Sequence, residues 1–235
     1  MLPTLAPLSI NTHPTHDAWY RACGARPDFE PWKNVSGEQK YSLLHGIALK
    51  AEGEYLSAYQ QVDIDSIMRD GLYSVEHVVP RSHVNGRLPG KAENDPIGWI
   101  VATRRSNSAR SNSPLVLWLT GDSEYATNTT VRIDGVQHYV PPIEQRARLA
   151  RKWLFIRATY GTIDEPSAAQ MRHAEDILEL ARGKPLESEL SVNQEYRKLL
   201  NWANPILEEG GSSWFEDEAW VARVFGRHAK KPVLW

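Results

Sequence analysis

Apolar positions recur along this chain with two periods, and the switches between them mark out its elements. Ser36-Gly-Glu-Gln39 has the spacing of a capping box, and Tyr41, Leu44, Ala48 and Ala51 then return at helical intervals, predicting a first helix. Short β-branched runs follow: Tyr73 to Val79, Ile97 to Thr103, and Leu115 to Leu119 behind Pro114. Thr129 to Val140 alternates about Asp134-Gly135, a strong hairpin dipeptide. Pro141-Pro142 opens the longest predicted helix, Ile143 to Tyr160, with Ala147, Ala150, Leu154 and Ala158 on one face and Gly161 at its end. A helix from Ser167 to Arg182 stops at Gly183, and another starts at Ser191, with Gln194 completing a capping box and Tyr196, Leu199 and Leu200 buried.

These elements predict an α+β fold: a mainly helical single domain around a central ββα unit, with a small antiparallel sheet. Residues 1–35 are Pro-rich and read as an irregular arm anchored by Trp19 and Trp32; 36–205 form the domain; 206–235 form an acidic, Trp-rich tail expected to pack on it.

The stretch from Tyr73 to Asn112 carries the candidate chemistry. A strand bearing Glu76-His77, a polar loop with Arg81 and Arg87, a returning strand and a short Ser/Arg/Asn-rich helix would bring Glu76, His77 and the asparagines to one place. A hard divalent cation takes oxygen ligands from carboxylate and amide and keeps several waters. A neutral imidazole beside it could take a proton from water. One tension is built in, because adjacent strand residues point to opposite faces. Glu76 and His77 could share a metal only if pairing already fails there, as Pro80 suggests.

Composition sharpens this picture. The single cysteine, Cys23, excludes an internal disulfide and a multi-cysteine zinc cage. No run approaches a membrane span. Residues 1–10 lack the basic start and unbroken apolar core of a secretory signal, so the expected setting is the cytoplasm, or export by another route. Net charge is −2, yet its distribution is uneven: six Lys/Arg against two acids between Arg81 and Arg110, five against none between Arg146 and Arg157, and five acids with no base from Glu208 to Glu218. That pattern predicts a polyanion-binding face with a solvated back. The bland alternative is a set of ordinary amphipathic surfaces.

Glu76-His77-Val78-Val79-Pro80, followed by Asn107-x-x-Arg110-x-Asn112, resembles the endonuclease I family of ββα-metal (His-Me finger) nucleases. Val131 to Asp134, Pro141-Pro142 with Arg146, Arg148 and Arg151, and Tyr160-Gly161 extend the resemblance over roughly Tyr73 to Pro205. It implies hydrolysis of DNA, and often RNA, with little sequence preference. Glu76 and Asn107 would hold one Mg²⁺ (or Mn²⁺ or Ca²⁺), His77 would be the general base, and Arg87 would bind the phosphate. Asn112 would steady Asn107 or fix the helix. Arg81, Arg110, Arg148 and Arg151 are the expected nucleic-acid contacts, Arg110 equally as a structural ion pair. The chain departs from the family in its shorter, cysteine-free loop and in Gly98, where the family tends to have Asn. A nonspecific nuclease working inside a cell would threaten its own genome, so the expectation is a restraining inhibitor protein, a narrow substrate or export.

Other clusters read as structure. His13 and His16 lack a third ligand nearby, and Asp63 and Asp65 suit a helix entry before Ser66. The competing functional class is a nucleic-acid-binding or structural protein that keeps the ββα-metal fold without activity.

Overall fold

The capping box predicted at Ser36 is present: Gln39 N–H donates to Ser36 Oγ at 3.2 Å, and Ser36 N–H donates to Gln39 Oε1 at 2.9 Å. It opens the second helix of a computed structural model that describes residues 14–24, 35–48, 57–59, 72–84, 92–118, 127–161 and 168–225. In chain order the elements are α1 (Pro14–Cys23), α2 (Gly37–Ala48), β1 (Tyr73–His77), α3 (Arg81–Val84), β2 (Trp99–Thr103), α4 (Arg104–Arg110), β3 (Thr129–Ile133), β4 (Val136–Val140), α5 (Ile143–Tyr160), α6 (Ala168–Arg172), α7 (Ala174–Arg182), α8 (Glu187–Leu200) and α9 (Glu218–Phe225). The described chain is mostly helical with two two-stranded antiparallel sheets, β1-β2 and β3-β4, an α+β arrangement. None of its helices is long and apolar enough to cross a membrane.

Several boundaries differ from the sequence pattern, each for a physical reason. Residues 1–35 are not all irregular, since α1 buries Trp19 against Phe155, Trp214 and Trp220. Those contacts also settle the tail as far as Phe225: it packs on the core. The strand expected at Leu115 to Leu119 is reduced, over its described part, to a single bridge from Leu115 to Tyr139, with Leu115 to Trp118 buried. The helix expected at Ser191 starts earlier, at Glu187, because the Glu189 carboxylate accepts the Leu186 N–H at 3.1 Å. The Asp134-Gly135 hairpin forms as predicted, with both turn residues at positive φ, 51° and 79°.

The centre of the molecule is α5. Its span is as predicted, but every residue from Arg148 to Tyr160 is buried, on all faces of the helix. A helix buried all round is ordinarily apolar, whereas this one carries Arg146, Arg148, Arg151, Lys152 and Arg157. Each cation is matched to backbone carbonyls of another segment. Arg146 donates to Trp118 O at 2.8 Å, Arg148 to Ser57 O at 2.9 Å, Lys152 to Ile97 O at 2.6 Å and Arg157 to Val224 O at 2.8 Å. Arg151 holds the Glu189 carboxylate with two bonds, 2.6 and 3.0 Å, and the carbonyls of Ala181 and Gly183. Ala181, Gly183 and Val224 stand at the C-terminal ends of α7 and α9, where carbonyls lack intrahelical partners and the helix dipole favours a cation. The basic character of α5 ties helix ends together.

Candidate functional site

β1 pairs with β2 in a regular antiparallel register that runs through the Glu-His pair: Ser74↔Ala102, Glu76↔Ile100, His77↔Trp99. Val78 N–H still donates to Gly98 O at 3.0 Å, so pairing continues through His77 and fails only beyond it. The expectation of an irregularity at the pair is therefore corrected, and with side chains alternating, Glu76 and His77 lie on opposite faces. α4 covers the Ser74/Glu76 face. α2 covers the Tyr73/Val75/His77 face, where the rings of Tyr41 and Tyr73 lie 3.8 Å apart.

On the α4 face, Thr103 caps the helix by accepting Ser106 N–H, which aims Asn107 and Arg110, one turn apart, at β1. The Asn107 amide donates to Ser74 Oγ at 2.8 Å and to Val75 O at 3.3 Å, leaving its oxygen without a described donor. Arg110 forms an ion pair with Glu76 Oε1, and also donates to the carbonyls of His77, Val78 and Ser113 at 2.5, 2.7 and 3.1 Å. Arg110 and Glu76 are each only 1% exposed. Arg110 is thus the structural partner of Glu76, and the expected phosphate contact is not available to it. Glu76 Oε2 has no hydrogen-bond donor although it is buried.

The donor types on this face suit a hard cation: a buried carboxylate oxygen without a donor, and an amide oxygen whose NH₂ is already committed. Arg110 shares the carboxylate, but its three carbonyl bonds hold it independently of Glu76. Among the described residues no group of three or more His, Cys, Asp and Glu side chains converges, so water would have to complete the shell.

On the α2 face, His77 Nε2 lies 3.0 Å from Glu93 O, and Trp99 Nε1 donates to the same carbonyl at 2.8 Å. A carbonyl only accepts, so Nε2 carries the proton and Nδ1 the lone pair. Burial, followed by the charges of Lys40 and Arg81, pushes the His77 pKa down to about 3, which keeps the ring neutral. Nδ1 has no described partner. Arg81 donates Nε to Glu93 Oε2 at 3.0 Å from an exposed position, and Lys40 Nζ stands 4.8 Å from the Trp99 ring.

The remaining expected site residues are dispersed. Arg87 lies outside the described residues, as do His13, Asp63 and Asp65. Arg148 and Arg151 are each 2% exposed and bound to protein groups, which removes them from any nucleic-acid face. Asn112 is exposed in the turn after α4 and makes no described bond to Asn107. At Gly98, where the resemblance would lead one to expect Asn, a Cβ would come within 2.8 Å of Ile156 Cδ1 on α5, so the end of that side chain would have to shift. An open cleft of about 610 Å³ lined by Val78, His83, Arg110, Asn112 and Gln137 lies beside the strand end, and neither Glu76, His77 nor Asn107 lines it. Lys40 was not singled out from the sequence. The available signal was its position on the Leu43, Leu44, Ile47 stripe of α2.

Compared with known proteins, the chain matches no family model and no curated protein.

Proposed function

We propose that this chain is a metal-dependent nuclease of the endonuclease I type, hydrolysing phosphodiester bonds of DNA, and of RNA as a second substrate, with little sequence preference. The observation that carries the reading is the His77 imidazole: neutral, fixed at Nε2 and with no described partner at Nδ1. In that state the ring accepts a proton from water and needs no prior deprotonation. Phosphate near Lys40 and Arg81 would offset the two charges that help hold the ring's pKa low, strengthening it as a base when substrate is present.

Glu76 and Asn107 would hold the divalent cation, Mg²⁺ first, with Mn²⁺ or Ca²⁺ as alternatives. When bound, it would supply a Lewis acid on the α4 face of β1, opposite the face that bears His77. Asn107 keeps its amide oriented through Ser74 and Val75, and Arg110 fixes the backbone on which Glu76 and His77 stand. A phosphate-directed site with no base-reading element predicts strong salt dependence and weak sequence preference.

The test is nicking of supercoiled plasmid with Mg²⁺, with and without EDTA. Nicking is expected to be EDTA-sensitive and to fall about 10²–10⁴-fold in His77→Ala. Absence of EDTA-sensitive nicking by the unmodified protein rejects the enzyme. It would leave the second reading, a nucleic-acid-binding or structural protein without activity, which two observations favour: Arg110 already engages the sealed Glu76 carboxylate, and His77 faces away from it.

A further inference from the structure

We propose that Lys40 and Arg81 form a seat for one backbone phosphate of a nucleic-acid strand, on the His77 face of β1. The proposal deepens the nuclease reading and rests on it only for the role of His77.

Lys40 is 9% exposed as a whole residue, on the apolar stripe of α2, and its ammonium is not among the fully buried nitrogens that lack a partner, so the stem is buried and the charged end keeps some access to solvent. Among the described residues it has no hydrogen-bond acceptor and no carboxylate partner. The other buried lysine, Lys152, is 8% exposed and donates to Ile97 O at 2.6 Å. What Lys40 does have is the Trp99 ring, 4.8 Å from its Nζ. A ring quadrupole offsets only part of the cost of drawing an ammonium partly out of water, so the three N–H donors of Lys40, unmatched by any described acceptor, are available to an anion.

The surroundings identify that partner as an anion. Arg81 is close enough to lower the pKa of both Lys40 and His77, and its own side chain is 62% exposed. Only its Nε is engaged, by Glu93, which leaves both terminal nitrogens without a described partner. Among the described residues Glu93 is the acid that acts on Lys40 and pairs with Arg81, so Lys40, Arg81, Glu93 and a neutral His77 together carry a net charge of +1. A point-charge ammonium from α2 and an exposed guanidinium from α3 suit a phosphate bearing a single negative charge. His77 Nδ1 has no described partner, and Lys40 and Arg81 both act on the ring, so the seat would hold that phosphate beside the base. Arg104 and Arg105 are on α4, which packs on the opposite face of β1.

The test measures binding of a labelled single-stranded DNA of about 20 nucleotides in EDTA, as a function of salt, where each phosphate contact contributes a slope of about 0.7. Lys40→Met is expected to lower the slope by about 0.7 and the affinity about five- to tenfold, and Arg81→Gln to act similarly. A Lys40→Met slope equal to that of the unmodified protein overturns the seat. If Lys40→Met does not fold, acylation of Lys40 in the unmodified protein decides: protection by the oligonucleotide supports the seat, and equal reactivity with and without it overturns it. The two readings fail separately. Lys40-dependent binding without plasmid nicking refutes the nuclease and leaves the seat, whereas nicking with an unchanged Lys40→Met slope does the reverse.

Discussion

α5 and the His77 face of β1 both concentrate positive charge, and they use it in opposite ways. The five cations of α5 are buried, and backbone carbonyls or a carboxylate of other segments reach each of them. Near His77 there are two, Lys40 and Arg81. Among the described residues the first has no acceptor, and the second is exposed with no partner at its terminal nitrogens. The role of a cation follows from whether protein oxygen has already claimed its donors. Density of Lys and Arg along the chain does not report it. On that criterion α5 is a structural tie and the His77 face is the place for a foreign anion.

The largest effect that would sharpen this contrast is at Arg151. Arg151→Ala leaves the Glu189 carboxylate buried and unpaired and strips the α7 end carbonyls of their donor, so a loss of about 3–5 kcal/mol in unfolding free energy is expected. Denaturant unfolding measures it. The salt dependence of DNA binding should not move in any fraction that stays folded. A change in that slope comparable to that of Arg81→Gln would place α5 on the nucleic-acid side and erase the distinction.

Next in size is a pH effect at Lys152, whose pKa is lowered to about 8 by burial first and then by Arg148. Its unfolded value is near 10.5, so between pH 8 and 10 this lysine holds more of its proton in the unfolded chain and contributes stability that rises with pH. Above about pH 10 the Tyr59 hydroxyl, raised to about 12 by burial, acts with the opposite sign and stability falls. The Lys152 share should amount to about 2 kcal/mol, read as the amount by which Lys152→Met lowers the change in unfolding free energy between pH 8 and 10, a comparison in which the opposing Cys23 thiol, raised by burial, and the other titrating groups cancel. An unchanged rise in the variant would show that another group produces it.

Much of this architecture was legible and some of it could not be. The limits of α5 followed from Pro141-Pro142 and Gly161, but its burial did not, because the neutralising partners are carbonyls that carry no sequence signal. The divergence of Glu76 and His77 was implicit in the two-residue period of a strand, and the regular register through Trp99 realises it. Lys40 escaped notice since a lysine on a helical stripe reads as a break in the stripe. Gly98 was noted as a departure from the nuclease pattern, and the structure supplies the reason: the β1-β2 unit meets α5 there, through Ile156. Gly98→Asn should therefore cost about 1–2 kcal/mol by overpacking, with the clash relieved partly by the flexible end of Ile156. Thermal unfolding measures the loss. A stability equal to that of the unmodified protein would mean that α5 and the strand pair do not pack this tightly.

The smallest effect expected separates exposed arginines from buried ones by sign. Arg105 sits in the first turn of α4, exposed and without a described partner, where its charge opposes the helix dipole. Its neighbour Arg104 reaches Tyr73 O at 3.3 Å and has at least that bond to offset the same repulsion. Replacing Arg105 by Gln removes the unfavourable charge and breaks no described contact, so unfolding free energy should rise by about 0.3 kcal/mol, roughly one degree in Tm for a chain of this size. If α4 also meets nucleic acid, the same substitution lowers the salt slope of single-stranded DNA binding by about 0.7. Gain in stability together with loss in binding is a pattern that no α5 cation can give, because each of them loses a protein oxygen when it is removed. Should Arg105→Gln destabilise the protein, its side chain has a protein partner after all, and α4 belongs with α5 on the structural side of the contrast.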